Sequence, residues 1–198
     1  MRRRVSVGIA LASTIVTTTS CKADRRSGGS VASRPPATTL GALDTTLVWN
    51  EISFHIIGRD SSFIIQPSGL NGGTDPVSAT TTGLLGHAAI ADLDKDGKPE
   101  LLVFSASPDS AHRVSVTAYS ASESGLRRLD VDGVPEDPRA TPGYAGHDEF
   151  AIVNGTLVQT FPLYDGSGQP TGKMRRLHYT MVNGEGARLL RVDSVADY

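Results

Sequence analysis

An apolar run, Leu101-Leu102-Val103-Phe104, follows directly on the acidic stretch Asp92-Leu93-Asp94-Lys95-Asp96-Gly97-Lys98-Pro99-Glu100. That juncture limits the fold more than any other part of the chain. Oxygen donors fall at the first, third, fifth and ninth positions of the acidic stretch, around a glycine, which is the spacing of a calcium loop. Asp92, Asp94 and Asp96 can turn alternate carboxylates inward, Gly97 permits the sharp turn, the Lys98 carbonyl can supply a backbone oxygen, and Glu100 closes the shell. In a helical calcium loop the twelfth position is a bidentate glutamate; here it is Val103, inside the apolar run. A short run that is partly β-branched or aromatic and soon bounded by Ser and Pro predicts a buried strand, so the unit is strand, acidic turn, strand. It occurs once, without an internal repeat of useful period, which argues against a propeller built from it. A metal-free hairpin turn is the competing reading, since Asp and Gly are turn formers in any case. Three carboxylates two residues apart repel one another without a cation, which favours bound Ca2+.

The remaining segments carry the same strand-like pattern. Ile52, Phe54 and Ile56 alternate onto one face before the turn Gly58-Arg59-Asp60 and the run Phe63-Ile64-Ile65, predicting a hairpin. Residues 66–83 are rich in Gly, Ser and Thr and read as a long loop. Residues 84–91 lead into the acidic turn, and residues 114–119 alternate as a further strand after the loop 105–113. Pro135, Pro138 and Pro142 mark residues 134–144 as an irregular connection. Asn154-Gly155, set between apolar runs, is the strongest hairpin signal, because a type I′ turn needs positive φ at both central residues. Residues 175–182 and 188–195, joined by Asn183-Gly184-Glu185-Gly186, complete a four-stranded meander. No segment shows a helical period. The expected fold is all-β, an antiparallel β-sandwich or flattened barrel of about eight strands.

At the N-terminus, Arg2-Arg3-Arg4, the apolar residues 5–16 and the small residues after them have the layout of an export signal too short to span a membrane. The only cysteine, Cys21, follows Thr18-Thr19-Ser20. The arrangement resembles a bacterial lipoprotein signal, in which cleavage exposes the cysteine for lipidation, although Thr18 stands where a leucine is typical. An ordinary secretory signal with a leftover thiol is the alternative. With a single cysteine the exported part has no internal disulfide, so its stability rests on its core and on a metal. The expected organisation is a signal over residues 1–21, a tether rich in Ser, Thr, Gly, Arg and Pro over 22–45, and one β domain over 46–198. This places the protein in the bacterial cell envelope, held to a membrane by its lipid. Loss of the three arginines with no acid takes the formal charge from −2 to −5, which argues against nucleic acid as a partner. A homodimer is compatible with the sequence.

His147-Asp148-Glu149, preceded by Gly143-Tyr144-Ala145-Gly146, is the one compact group of acid–base candidates. A hydrolase would need a positioned nucleophile, paired histidine ligands or a phosphate loop, none of which the sequence offers. The expectation is therefore a non-enzyme in which Tyr144, His147 and Asp148 form a structural corner, with His147 and Asp148 fixing the entry to the Phe150 strand by hydrogen bonding. His55, His87, His112 and His178 are scattered singly and read as structural, and Tyr144, Tyr164 and Tyr179 as amphipathic core or rim residues.

The run from Gly143 through Gly146-His147-Asp148-Glu149-Phe150, then Phe161-Pro162-Leu163-Tyr164, Pro170-Thr171-Gly172, Tyr179 and Leu190-Arg191-Val192, resembles the family of periplasmic inhibitors of invertebrate-type (i-type) lysozyme. The acidic turn with Pro99-Glu100 and the strand end Ala118-Tyr119-Ser120 fit the same pattern, and the resemblance spans roughly residues 85–195. It implies an exported β-sandwich that plugs a lysozyme cleft. The family's inhibitory Ser-Gly-x-Tyr motif falls on Ser110, Ala111, His112 and Arg113, so the serine is kept, while alanine and arginine replace the glycine and tyrosine. A lysozyme works with one protonated and one ionised carboxyl, and a loop offering the Ser110 hydroxyl and the Arg113 guanidinium could pair with both. The acidic turn also resembles the calcium turns of integrin-type and bacterial adhesion repeats. That likeness implies the alternative, a calcium-stabilised envelope adhesion or scaffold module without an enzyme target.

Overall fold

The computed structural model describes residues 40–184 and 188–198. The expected signal with Cys21 and most of the expected tether lie outside the described residues, as does part of the turn after Asn183. Twelve strands make up almost all of the regular structure: β1 Ala42–Trp49, β2 Ile52–Arg59, β3 Ser62–Ser68, β4 Val77–Thr80, β5 Leu84–Ala91, β6 Glu100–Ala106, β7 Val114–Ser122, β8 Gly125–Val131, β9 Glu149–Val153, β10 Thr156–Tyr164, β11 Pro170–Asn183 and β12 Arg188–Asp197. A single 3-10 turn, Val134–Glu136, interrupts the connection from β8 to β9. The fold is all-β, as expected. β1 begins inside the stretch assigned to the tether, so the domain starts by residue 42.

The strands form a four-stranded sheet ordered β1-β2-β3-β4 and an eight-stranded sheet ordered β5-β6-β7-β8-β12-β11-β10-β9. Nine of the ten strand pairs are antiparallel, but β8 and β12 run parallel through the short register Leu189↔Asp130 and Leu190↔Val131. Three strands lie outside the expected set: β1, which begins within the expected tether, and two quiet segments, β4 and β8. β4 is Val-Ser-Ala-Thr, within the expected loop, and β8 carries the exposed pair Arg127 and Arg128 that breaks its alternation.

β6 explains the layering. Leu102 and Phe104 point into a core shared with β7, β8 and β10–β12, centred on Leu157, Phe161, Leu177 and Leu190. Leu101 and Val103 point the other way, into a second core with Phe54, Ile56, Phe63 and Ile65 of the four-stranded sheet. Period-two alternation therefore feeds two cores from one strand, and a strand covered on both faces reads as a continuous apolar run. Of the three register shifts among the strand pairs, the third lying between Pro162 and Tyr164 of β10, two are informative here. In β5 the register shifts between Leu85 and His87, so Leu85 and Ala88 serve the same core although three residues apart. In β12 the shift lies opposite His178 and Tyr179, and Arg139 donates to the carbonyls of Val192 (3.2 Å) and Asp193 (3.3 Å) there while paired with Asp137.

Candidate functional site

The acidic turn sits between β5 and β6, and no helix follows it. Lys95 and Gly97 take positive φ, +63° and +86°, and nothing crowds Gly97, so its glycine answers the backbone conformation alone. Asp92 accepts hydrogen bonds from the backbone N–H groups of Asp96 (3.1 Å) and Gly97 (3.0 Å), and Asp96 accepts from that of Lys98 (2.8 Å). These bonds wind the turn into a ring with its carboxylates gathered. One carboxylate oxygen from each of Asp92, Asp94 and Glu100 lies within 4.8 Å of the others. Asp96 stands outside this group, its carboxylate closing the turn by accepting from the Lys98 N–H, while the Lys98 side chain is directed to Glu123, 3.6 Å from its ammonium. Glu100 is fully buried, accepting from the Leu93 N–H (2.8 Å) and the Ser120 hydroxyl (2.9 Å). Burial pushes its pKa up, and the nearby Asp96 and Asp92 charges push the same way against those two hydrogen bonds. An all-oxygen donor set of this kind suits a hard divalent cation such as Ca2+.

Two partners of the turn were not legible in the sequence. Arg188, at the start of β12, pairs with Asp94, lies 3.9 Å from Asp96 and donates to the Ser120 hydroxyl at 3.2 Å. The repulsion among the carboxylates is thus partly relieved by the chain's own guanidinium. The Trp49 indole N–H reaches the Gly97 carbonyl at 3.4 Å, tying the four-stranded sheet to the turn.

The second assembly joins the corner 143–148 to the loop 107–113. Asp148, 8% exposed, accepts from the Val114 N–H (2.9 Å) and the Tyr144 hydroxyl (2.8 Å) on one oxygen, and from the Gln159 amide (2.8 Å) on the other. Gln159 in turn accepts from the Tyr179 hydroxyl at 2.6 Å. A buried carboxylate surrounded by donors fixes the corner. Burial raises the pKa of both tyrosines above the ordinary phenol range, and the bond to Asp148 raises Tyr144 further. His147 contributes through its backbone N–H, which donates to the Ala111 carbonyl at 2.6 Å, while its imidazole is exposed. A Cβ at Gly146 would stand 2.1 Å from that same carbonyl, so only glycine admits the contact.

Within the loop, Asp109 accepts from the Ser107 hydroxyl (2.8 Å) and the Ala111 N–H (3.0 Å), and the Arg113 N–H donates to the Ser107 hydroxyl (2.9 Å). Ser110, His112 and Arg113 are exposed and Ala111 is half-buried. Arg113 lies 3.8 Å from Asp109. Asp109, which the sequence did not single out, is the residue that shapes this loop.

Compared with protein-family models, with curated proteins and with solved structures, the chain finds no match in any of the three. Among the described residues no helix is long and apolar enough to cross a membrane.

Proposed function

We propose that this chain is an exported, lipid-anchored envelope protein of bacterial type, whose β domain holds Ca2+ at the acidic turn and acts by occluding a lysozyme active site rather than by catalysis. The observation that carries the reading is the bracing of residues 107–113 by Ser107, Asp109 and the 143–148 corner, with Ser110 and Arg113 left at the surface. A loop held in one conformation before docking loses little freedom on binding. Its hydroxyl and guanidinium match a protonated and an ionised carboxyl. The buried acid of the acid–base cluster, Asp148, has both oxygens engaged by donors, which supports a structural role for it. Titrating the protein against animal-type, goose-type and invertebrate-type lysozymes tests the reading, with loss of muramidase activity in at least one class as the expected result. The anchor has its own test: Cys21→Ala should release the protein from membranes, and an unmodified Cys21 in the intact mass of membrane-extracted protein would remove the lipid.

One observation favours the adhesion or scaffold module instead. The Ala111 and His112 carbonyls accept from the His147 and Asp148 N–H groups, so part of the loop backbone is committed to its own domain. Calcium-dependent stability without inhibition of any lysozyme class would select that module.

A further inference from the structure

Two histidines 35 positions apart in the sequence stand side by side on the surface. The imidazoles of His112 and His147 have ring centres 6.3 Å apart, one edge-on to the other, and both residues are exposed. The other three histidines are placed differently: His87 stacks on Phe104 at 4.4 Å, His55 pairs with Asp44 at 2.9 Å, and His178 lies within β11. We propose that His112 and His147 form a chelating site for a borderline transition-metal cation, Zn2+, Ni2+ or Cu2+, separate from the acidic turn.

Neutral imidazole is a preferred ligand of these ions, whereas calcium and magnesium take oxygen. With metal–nitrogen bonds of about 2.0–2.1 Å, two imidazoles on one ion have ring centres roughly 5 to 6.5 Å apart. The observed spacing falls at the open end of that span, and rotation of the exposed side chains closes it. The backbones beneath are already joined. The His147 N–H donates to the Ala111 carbonyl at 2.6 Å and the Asp148 N–H to the His112 carbonyl at 3.4 Å. Both histidines hold positive φ, +42° and +64°, a conformation that costs energy for a residue with a Cβ. The Tyr164 ring, centred 6.0 Å from that of His147, flanks one side of the pair. The nearby cation, Arg113, lies 3.8 Å from Asp109, which offsets its charge. Such an ion would cross-link the loop to the corner, and the remaining coordination positions would face solvent. The site does not depend on the lysozyme reading.

The test is calorimetric titration of tag-free protein with Zn2+, Ni2+ and Cu2+ in the presence of saturating Ca2+. One ion per molecule is expected, with Cu2+ bound more tightly than Zn2+ or Ni2+. His112→Asn and His147→Asn each remove an imidazole, and asparagine tolerates positive φ. Each should weaken Zn2+ at least about tenfold, since even outer-shell changes at metal sites cost that much. His55→Asn and His178→Asn should bind as the parent does. If either variant unfolds, broadening of the His112 and His147 ring resonances by substoichiometric Cu2+ in the parent decides the matter. Parent-like affinity in both variants, half an ion per molecule, or broadening spread over all five histidines would overturn the proposal.

Discussion

The indole N–H of Trp49 lies 3.4 Å from the carbonyl of Gly97, so the only tryptophan in the chain touches the acidic turn from the neighbouring sheet. Cation binding that draws Asp92, Asp94 and Glu100 together should therefore change Trp49 emission. Titration of chelator-treated protein with Ca2+ should give a saturable change with a midpoint of about 0.1–1 mM, the range of extracellular calcium modules. The melting temperature should rise over the same concentrations, because a ligand bound only by the folded state stabilises it. Asp94→Asn should abolish both responses. A flat fluorescence and melting profile in the parent would remove calcium from the reading.

Glu100 supplies a pH test. Its folded pKa is raised by burial, so its contribution to stability is complete below the unfolded value of about 4.3 and is lost as pH rises through the folded value. Without calcium, Glu100→Gln should therefore melt above the parent at pH 7, by a margin that shrinks toward pH 4. With calcium the order should reverse, since the variant lacks a carboxylate ligand. Differential scanning calorimetry at two pH values, with and without chelator, reads both effects.

Asp148 has three buried or half-buried donors directed at it. Asp148→Ala leaves them without an acceptor and should cost about 2–4 kcal/mol, measured as a lower urea midpoint at unchanged slope. Tyr179→Phe removes only the donor to Gln159 and should cost about 1–2 kcal/mol.

Arg175 fastens the end of the chain. It forms a two-pronged pair with Asp197 and donates to the carbonyls of Ala140 and Pro142. Arg175→Met keeps the length but strands all four acceptors, and a loss of roughly 2–4 kcal/mol is expected. The Asp197 carboxyl is held below its usual range by Arg175, so its stabilising contribution is present above the unfolded pKa and lost as pH falls through the folded one. The parent should show that acid-side loss and the variant should lack it.

If the chain inhibits a lysozyme, Arg113→Ala should weaken inhibition at least ~30-fold, the equivalent of a hot-spot loss of ~2 kcal/mol. His178→Ala should leave it unchanged. The double substitution Ala111→Gly with Arg113→Tyr, which gives the loop the Ser-Gly-x-Tyr pattern of the inhibitors it resembles, should strengthen it. Inhibition constants for the three variants separate these outcomes.

The parts of the fold carried by local chemistry were legible before the structure. Asn154 and Gly155 do take positive φ, +51° and +73°, at the β9–β10 turn, and the acidic turn does lead into a buried strand. What could not be read was set by distant contacts. β8 hides its pattern behind Arg127 and Arg128, and the inward Gln159 is polar because it serves Asp148 and Tyr179. Arg188 meets the acidic turn across 94 positions of sequence, and the adjacency of His112 and His147 exists only because two loops are hydrogen bonded.

The double-faced burial of β6 has a consequence for how the molecule can come apart. Deleting residues 40–80 would not shave off a peripheral layer; it would bare Leu101, Val103, Tyr119 and Ala121, which pack beneath that layer. A slip of β6 by one residue would be worse, because it would exchange the side chains of the two interiors in a single step. The two sheets are therefore expected to melt together, and fragments cut between β4 and β5 to aggregate rather than fold separately.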